Sequence, residues 1–196
     1  TEPSAGSDAG NLRSSARADG DNYIVNGSKM FISGAGSTDL LVAMLRTGGD
    51  GPKGISAFAI PADAPGVSYG KKEEKMGWNS QPTRTVSFED VVVPAANMLG
   101  SEGEGFKIAM KGLDGGRINI ATCSIGTAQA AIEATIAYVK ERKQFGQAIA
   151  DFQNTQFKLA DMTTDLVAAR QMVRLAAFKL DSRDPEASVY CAMAKR

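Results

Sequence analysis

The hydrophobic pattern changes period near residue 100, and the two halves therefore call for different kinds of structure. Before that point, short apolar runs are separated by turn residues. "YIVNGSKMFIS" places Asn26-Gly27 between two strand-like segments, a pair that predicts a hairpin. "DLLVAMLRT" and "GISAFAIP" read as buried strands on either side of "GGDGPKG", and "RTVSFEDVVVP" alternates Val86 and Phe88 with Ser87 and Glu89. Short strands at this spacing predict a barrel or sandwich. Beyond residue 100 the period becomes helical. Ile125, Ala128, Ile132, Ile136 and Val139 recur at three- and four-residue steps, as do Leu159, Met162, Leu166, Ala169, Val173, Ala176 and Leu180. The two stripes predict helices packed nearly antiparallel across a connection around Gly146, which is expected to stop the first. A further helix is expected after Asp184-Pro185, and "GSEGEGF" reads as the linker. The expected class is α+β, with a β domain over 1–101 and part of a helical bundle over 102–196. The abrupt start and the helix running up to Arg196 predict an internal segment of a longer protein.

What the chain lacks narrows its chemistry. It has no histidine, so serine-histidine and cysteine-histidine catalysis and the usual histidine-bearing zinc sites are excluded, and no metal site is expected. No phosphate-binding Walker loop occurs. Lys and Arg total 22 against 22 Asp and Glu, so no net field draws the chain to nucleic acid or an anionic membrane. No apolar run is long enough to span a bilayer. Cys123 and Cys191 lack metal-type spacing and read as free, buried thiols. Any chemistry must use carboxylates, lysine, arginine, hydroxyls or a bound cofactor.

Three stretches stand out, each with an ordinary structural reading beside the functional one. "TEPSAGSDAG" and "GAGSTD" lack dinucleotide-fingerprint spacing and read as surface turns, yet the hydroxyls of Thr1, Ser4 and Ser7 can bind a polar cofactor edge. In "LDGGRINIA", two glycines at the expected head of a long helix cost about 1 kcal/mol each relative to alanine. Asp114 can cap that helix, and a bare helix start beside Arg117 can dock a polar or phosphorylated ligand. Trp78, in "MGWNSQPTR", reads as a core anchor.

Taken in order, "TEPSAGSDAG", "NGSKMFISGAG", "GWNSQPTR", "FEDVVVP", "GEGF", "GLDGGRINIA" and "ERKQFGQAIADFQ" resemble the middle and C-terminal parts of an acyl-CoA dehydrogenase. The resemblance runs from Thr1 to Arg196 and is strongest to members acting on short branched acyl chains, in branched-chain amino acid breakdown. It implies a middle β-barrel followed by part of an antiparallel four-helix bundle, with FAD held between barrel and bundle. It also implies FAD-dependent α,β-dehydrogenation of an acyl-CoA thioester to the enoyl-CoA, with electrons passed to an electron-transferring flavoprotein.

The same resemblance assigns roles. Thr1 and Ser7 contribute polar contacts to the flavin, and Phe31, Ile32 and Ser33 border its ring; many relatives carry tryptophan where Phe31 stands. Arg142, Gln144, Phe145 and Gln153 match positions that reach FAD, often that of a neighbouring subunit, which implies a homo-oligomer, a tetramer in the family. Ser7, Asp114 and Arg117 match positions that hold the thioester, and Gln81 falls where relatives carry a substrate-side serine. The catalytic glutamate of most members lies beyond the position of Arg196. A minority place it just before the arginine matching Arg117, where this chain has Gly116. No catalytic residue is therefore expected within the chain. The family implies a mitochondrial matrix or bacterial cytoplasmic location. The competing readings are a flavin oxidase or monooxygenase of the same fold, and a non-catalytic oligomerising fragment.

Overall fold

In the computed structural model, which describes residues 1–196, the apolar runs of the first half pair into one seven-stranded sheet. The strands are β1 (Ser15–Asp19), β2 (Asn22–Ser33), β3 (Leu40–Arg46), β4 (Ile55–Pro61), β5 (Val67–Tyr69), β6 (Thr83–Pro94) and β7 (Met98–Leu99). Their order is β5-β6-β2-β1-β3-β4-β7. All neighbours pair antiparallel except β1 and β3, which meet in parallel at Ser15 and Arg46. β5 and β7 are the two ends of this hydrogen-bonded order, so the α+β class holds but ladder pairing does not close the sheet into a barrel. Val25, Leu45, Phe58, Ile60, Val86, Val91 and Val93 fill its core, each contributing about 1.5–3 kcal/mol by leaving water.

The hairpin expected at Asn26-Gly27 is not there. β2 runs straight through it, and the turn between β1 and β2 is made by Gly20 and Asp21 instead. Asn26-Gly27 is a bulge: the register with β6 shifts between Val25 and Gly27. Asn26 exchanges two hydrogen bonds with Asp90 on β6, at 2.8 and 2.9 Å. Gly27 has φ +138°, and a Cβ there would sit 2.4 Å from the Ser14 hydroxyl oxygen. The glycine is required by close approach of another segment, a need that local turn chemistry does not reveal.

The chain divides into two compact units, Thr1–Met110 and Lys111–Arg196. The second contains most of α1 (Gly105–Glu141), all of α2 (Gln153–Asp181) and α3 (Ala187–Lys195), and a small ladder of β8 (Lys143–Gln144) with β9 (Gln147–Ala148). The predicted stripes hold in part: Val139 on α1 and Leu166, Val173 and Ala176 on α2 are buried, Ile125, Ala128, Ile132, Ile136, Leu159 and Leu180 are half-buried, and Met162 and Ala169 are exposed. Arg170 donates to Gln129 across the two helices at 2.7 Å.

Three local expectations fail here. "LDGGRINIA" does not start a helix; it lies more than two turns inside α1, so Asp114 is no N-cap. The cost of Gly115 and Gly116 is small beside the tertiary packing of a long amphipathic helix. Gly146 does not stop α1, which ends at Glu141. Phe145 (φ +52°) and Gly146 (φ +84°) form the two-residue turn of the β8–β9 hairpin, where positive φ at both positions matches the strand twist. Cys191 is buried, but Cys123 faces solvent on α1; both are free.

Replacing Gly27 by alanine is expected to destabilise the protein by about 2 kcal/mol or more, through strain and collision with Ser14. Gly20→Ala, at φ +60° with nothing within 4 Å of the added Cβ, is expected to cost only about 1 kcal/mol. Urea unfolding of both variants measures the difference.

Candidate functional site

The opening loop is fixed by charge rather than by apolar packing. Glu2 is 6% exposed, and its carboxylate accepts hydrogen bonds from the Lys29 ammonium at 2.6 Å and from the backbone N–H groups of Arg13 (2.6 Å) and Ser14 (3.1 Å). Lys29, on β2 and 8% exposed, also donates to the Met44 carbonyl of β3 at 2.6 Å. Burial alone would raise the Glu2 pKa. The bond from Lys29, then those from Arg13 and Ser14, outweigh burial and hold the pKa at about 2. Burial in turn pushes the Lys29 ammonium below its ordinary value, while Glu2 pulls it back up.

This anchor brings several of the expected residues to one end of β2. The Thr1 carbonyl accepts from the Met30 N–H at 2.9 Å, and Glu2 and Ala5 form an antiparallel bridge. A Cβ on Gly6 would lie 3.9 Å from the Thr1 methyl, so the loop carrying Ser7 folds back over Thr1. At the next residue along β2, Phe31 adopts φ +58° and is 58% exposed, where the register with β6 shifts between Lys29 and Ile32. Ser33 is exposed and pairs with Thr83; Gly34 donates to the Pro82 carbonyl at 2.8 Å, and its Cα hydrogens face the Gln81 amide. Thr1, Ser7, Ser33 and Gln81 all present exposed side chains.

Trp78 is not a core anchor. It is 63% exposed with φ +57°, in a turn closed by the Gln81 N–H donating to the Trp78 carbonyl at 3.2 Å. Lys75 clamps this turn, donating to the carbonyls of Trp78 (3.0 Å) and Gln81 (2.7 Å). Glu2, Lys29 and Lys75 thus position candidate site residues, and sequence reasoning overlooked all three. Lys29 is a buried position of β2, but the bulge at Asn26-Gly27 interrupts the alternation that starts from Val25, so the local pattern does not mark it as inward. On β6, Arg84 pairs in register with Ile32, and its Nε is buried without a hydrogen-bond partner. The exposed side chains of Thr1, Ser7 and Ser33 at this end of β2 carry hydroxyls that fit a polar group bound there.

In the second unit, Asp114 and Arg117 form one cluster with α3. Asp114 is 9% exposed; one carboxylate oxygen accepts from Arg117 at 2.8 Å and the other from the Ser188 hydroxyl at 2.5 Å. Cys191 lies one turn beyond Ser188, its thiol pushed up by burial and then by Asp114, with Arg117 opposing. The hairpin after α1 holds Arg142, Gln144 and Phe145 in the open. Phe145 is 95% exposed, and its ring meets that of Phe152 edge-on at 6.3 Å, beside Gln153 at the start of α2.

Residues 1–91 match the family described as "Acyl-CoA dehydrogenase, middle domain", and residues 103–196 match "Acyl-CoA dehydrogenase, C-terminal domain". The chain belongs to the acyl-CoA dehydrogenase family. It is 57% identical over 196 residues to the mitochondrial isobutyryl-CoA dehydrogenase of Dictyostelium discoideum, covering 100% of this chain and 47% of that protein. Among solved structures, butyryl-CoA dehydrogenase from Megasphaera elsdenii superposes with a TM-score of 0.95 at 45% identity, over 99% of this chain and 51% of the other. A structure described as PigA with FAD and proline superposes at 0.94 with 32% identity, over 99% and 51%. This acyl-CoA dehydrogenase chain therefore spans about half the length of the relatives it matches.

Removing the charge at residue 2 tests the anchor. Glu2→Gln leaves a buried ammonium without its anion and is expected to cost about 3–5 kcal/mol in unfolding experiments. Because the folded pKa of Glu2 lies below its ordinary value, its contribution is complete above about pH 4.5 and is lost as pH falls towards about 2. The wild-type chain is expected to lose about 2 kcal/mol over that window, allowing for solvent screening, that the Glu2→Gln variant does not lose.

Proposed function

We propose that this chain supplies flavin and thioester contacts to an FAD-dependent acyl-CoA dehydrogenase acting on a short branched acyl-CoA such as isobutyryl-CoA, a step of valine breakdown. Residues 1–101 then serve as the middle domain and 102–196 as part of the C-terminal domain. The observation that carries this reading is the ordered family match across both units, joined to polar side chains left exposed at the matching positions. Thr1, Ser7, Phe31, Ile32 and Ser33 are the proposed flavin contacts of the first unit, and Arg142, Gln144, Phe145 and Gln153 those of the second. The exposed hydroxyls of Thr1, Ser7 and Ser33 fit a group rich in hydrogen-bond acceptors. The solved PigA relative, described with FAD, supports the same cofactor.

When bound, FAD supplies the hydride acceptor for the β-hydrogen of the substrate. The chain's own residues bind and orient: Ser7, Gln81, Asp114 and Arg117 are the proposed thioester contacts, fixing the acyl chain for loss of its α-proton and β-hydride. Gly116, without a side chain, can take no proton, so the proposed enzyme draws its base from another part of the protein. An electron-transferring flavoprotein as acceptor, a homotetrameric assembly and a matrix or bacterial cytoplasmic location belong to the same proposal. The mitochondrial relative supports the matrix.

The test compares the 196-residue chain with the full-length protein that carries it, each given FAD and then isobutyryl-CoA without oxygen. The full-length protein is expected to lose its visible flavin absorbance, and the chain alone to keep it. Sustained flavin reduction by the chain alone, or none by the full-length protein, contradicts the reading.

A further inference from the structure

We propose that Ser188 is a positioning residue for Arg117, acting through Asp114 to present the guanidinium to the acyl-CoA ligand; the inference rests on the functional reading above. Asp114 sits on α1 with its side chain 12% exposed, and its two oxygens are divided between two donors on different elements. Arg117, three residues on and on the same helix face, takes one oxygen; the Ser188 hydroxyl of α3 takes the other. A carboxylate held at one oxygen only can swing about χ2. Held at both, it offers the arginine a single fixed acceptor.

The guanidinium is not consumed by this contact. Its NH1 makes the one bond to Asp114, and the Arg117 side chain is 33% exposed, leaving further donors of its planar fork for a ligand. The donor of the Asp114–Ser188 bond is itself well located. α3 is tied to the end of α2 by Lys179, which bonds Asp184 at 2.9 Å and Glu186 at 3.4 Å and lies 4.4 Å from the centre of the Tyr190 ring. Asp184 also accepts from the Glu186 N–H at 2.8 Å, just before α3 begins. Buried Ala187 and Cys191 hold the helix in place, while Ser188 between them is itself exposed. The hydroxyl that sets Asp114 therefore rides on a helix anchored at its start and along its length.

The experiment uses the full-length protein and two readouts. The first is the rate at which phenylglyoxal modifies Arg117, followed by peptide mass spectrometry. The second is the steady-state dependence on isobutyryl-CoA. Ser188→Ala is expected to speed Arg117 modification about fivefold and to raise KM about fivefold to tenfold, with kcat within about twofold, the signature of lost binding order. Ser188→Thr, which keeps the hydroxyl, is expected to restore both. Ser182→Ala, which removes a hydroxyl bonded only to the Lys179 carbonyl, is expected to change neither. An unchanged Arg117 rate in Ser188→Ala overturns the proposal, as does a faster rate with KM unaltered, or a threonine variant as impaired as the alanine one. If the protein oxidises no acyl-CoA at all, the functional reading fails instead, and the modification rates alone decide whether Ser188 holds Arg117.

Discussion

The Glu2–Lys29 ion pair is the contact on which the first unit's candidate site depends. Two opposite charges taken out of water cost several kcal/mol each, and the cost is offset only where geometry is good and the remaining lone pairs are used. Here they are used: Glu2 takes three donors, and Lys29 spends a second bond on the Met44 carbonyl. The loop from Thr1 to Ser7 contains little apolar surface to hold it, apart from buried Ala5 packed with Leu12 and Ile55. Without the pair, the loop has no comparable reason to lie along β2, and Thr1 none to meet Met30. A charged anchor of this kind specifies one register for the loop, because a shift by one residue strands both charges.

Three exposed aromatics sit on strained backbone, unlike Tyr138, Phe157 and Phe178, which are exposed on helices. Of five non-glycine residues with positive φ, Phe31, Trp78 and Phe145 are aromatic and more than half exposed. Each pays twice, in backbone strain of about 1–3 kcal/mol and in apolar surface left in water. The strain is overdetermined by surrounding bonds: the bulge beside Met30, the Lys75 clamp and the tight β8–β9 turn. Rigid turns that hold rings outward are suited to packing against a planar partner, which gives the proposed flavin role of Phe31 and Phe145 a physical basis.

How much of this was legible in the sequence follows from the range of the interaction involved. The switch from strand to helix period was readable because it is set by residues a few positions apart, and the helices carrying the stripes at Ile125–Val139 and Leu159–Leu180 follow from it, although Met162 and Ala169 of the second stay exposed. Asn26-Gly27, Gly146 and Trp78 were misread because their conformations answer to distant partners, Ser14 and Asp90 for the bulge, or to turn geometry in which phenylalanine replaces the usual asparagine. Asp114 and Arg117 were recognisable as a pair on one helix, whereas Ser188, 74 residues away, became visible only when α3 was in place. The Glu2–Lys29 contact was hidden for the same reason, its partners lying 27 positions apart.

A buried charge pair shapes the end of β2 into the proposed cofactor-binding surface. A double-mutant cycle over Glu2→Gln and Lys29→Met, read as FAD affinity in the full-length protein, tests it most directly. Each single change is expected to weaken FAD binding about tenfold or more, and the double variant to bind better than the product of the two losses, since no charge is then left buried alone. Single variants that fold and bind FAD as tightly as the wild type would contradict the account.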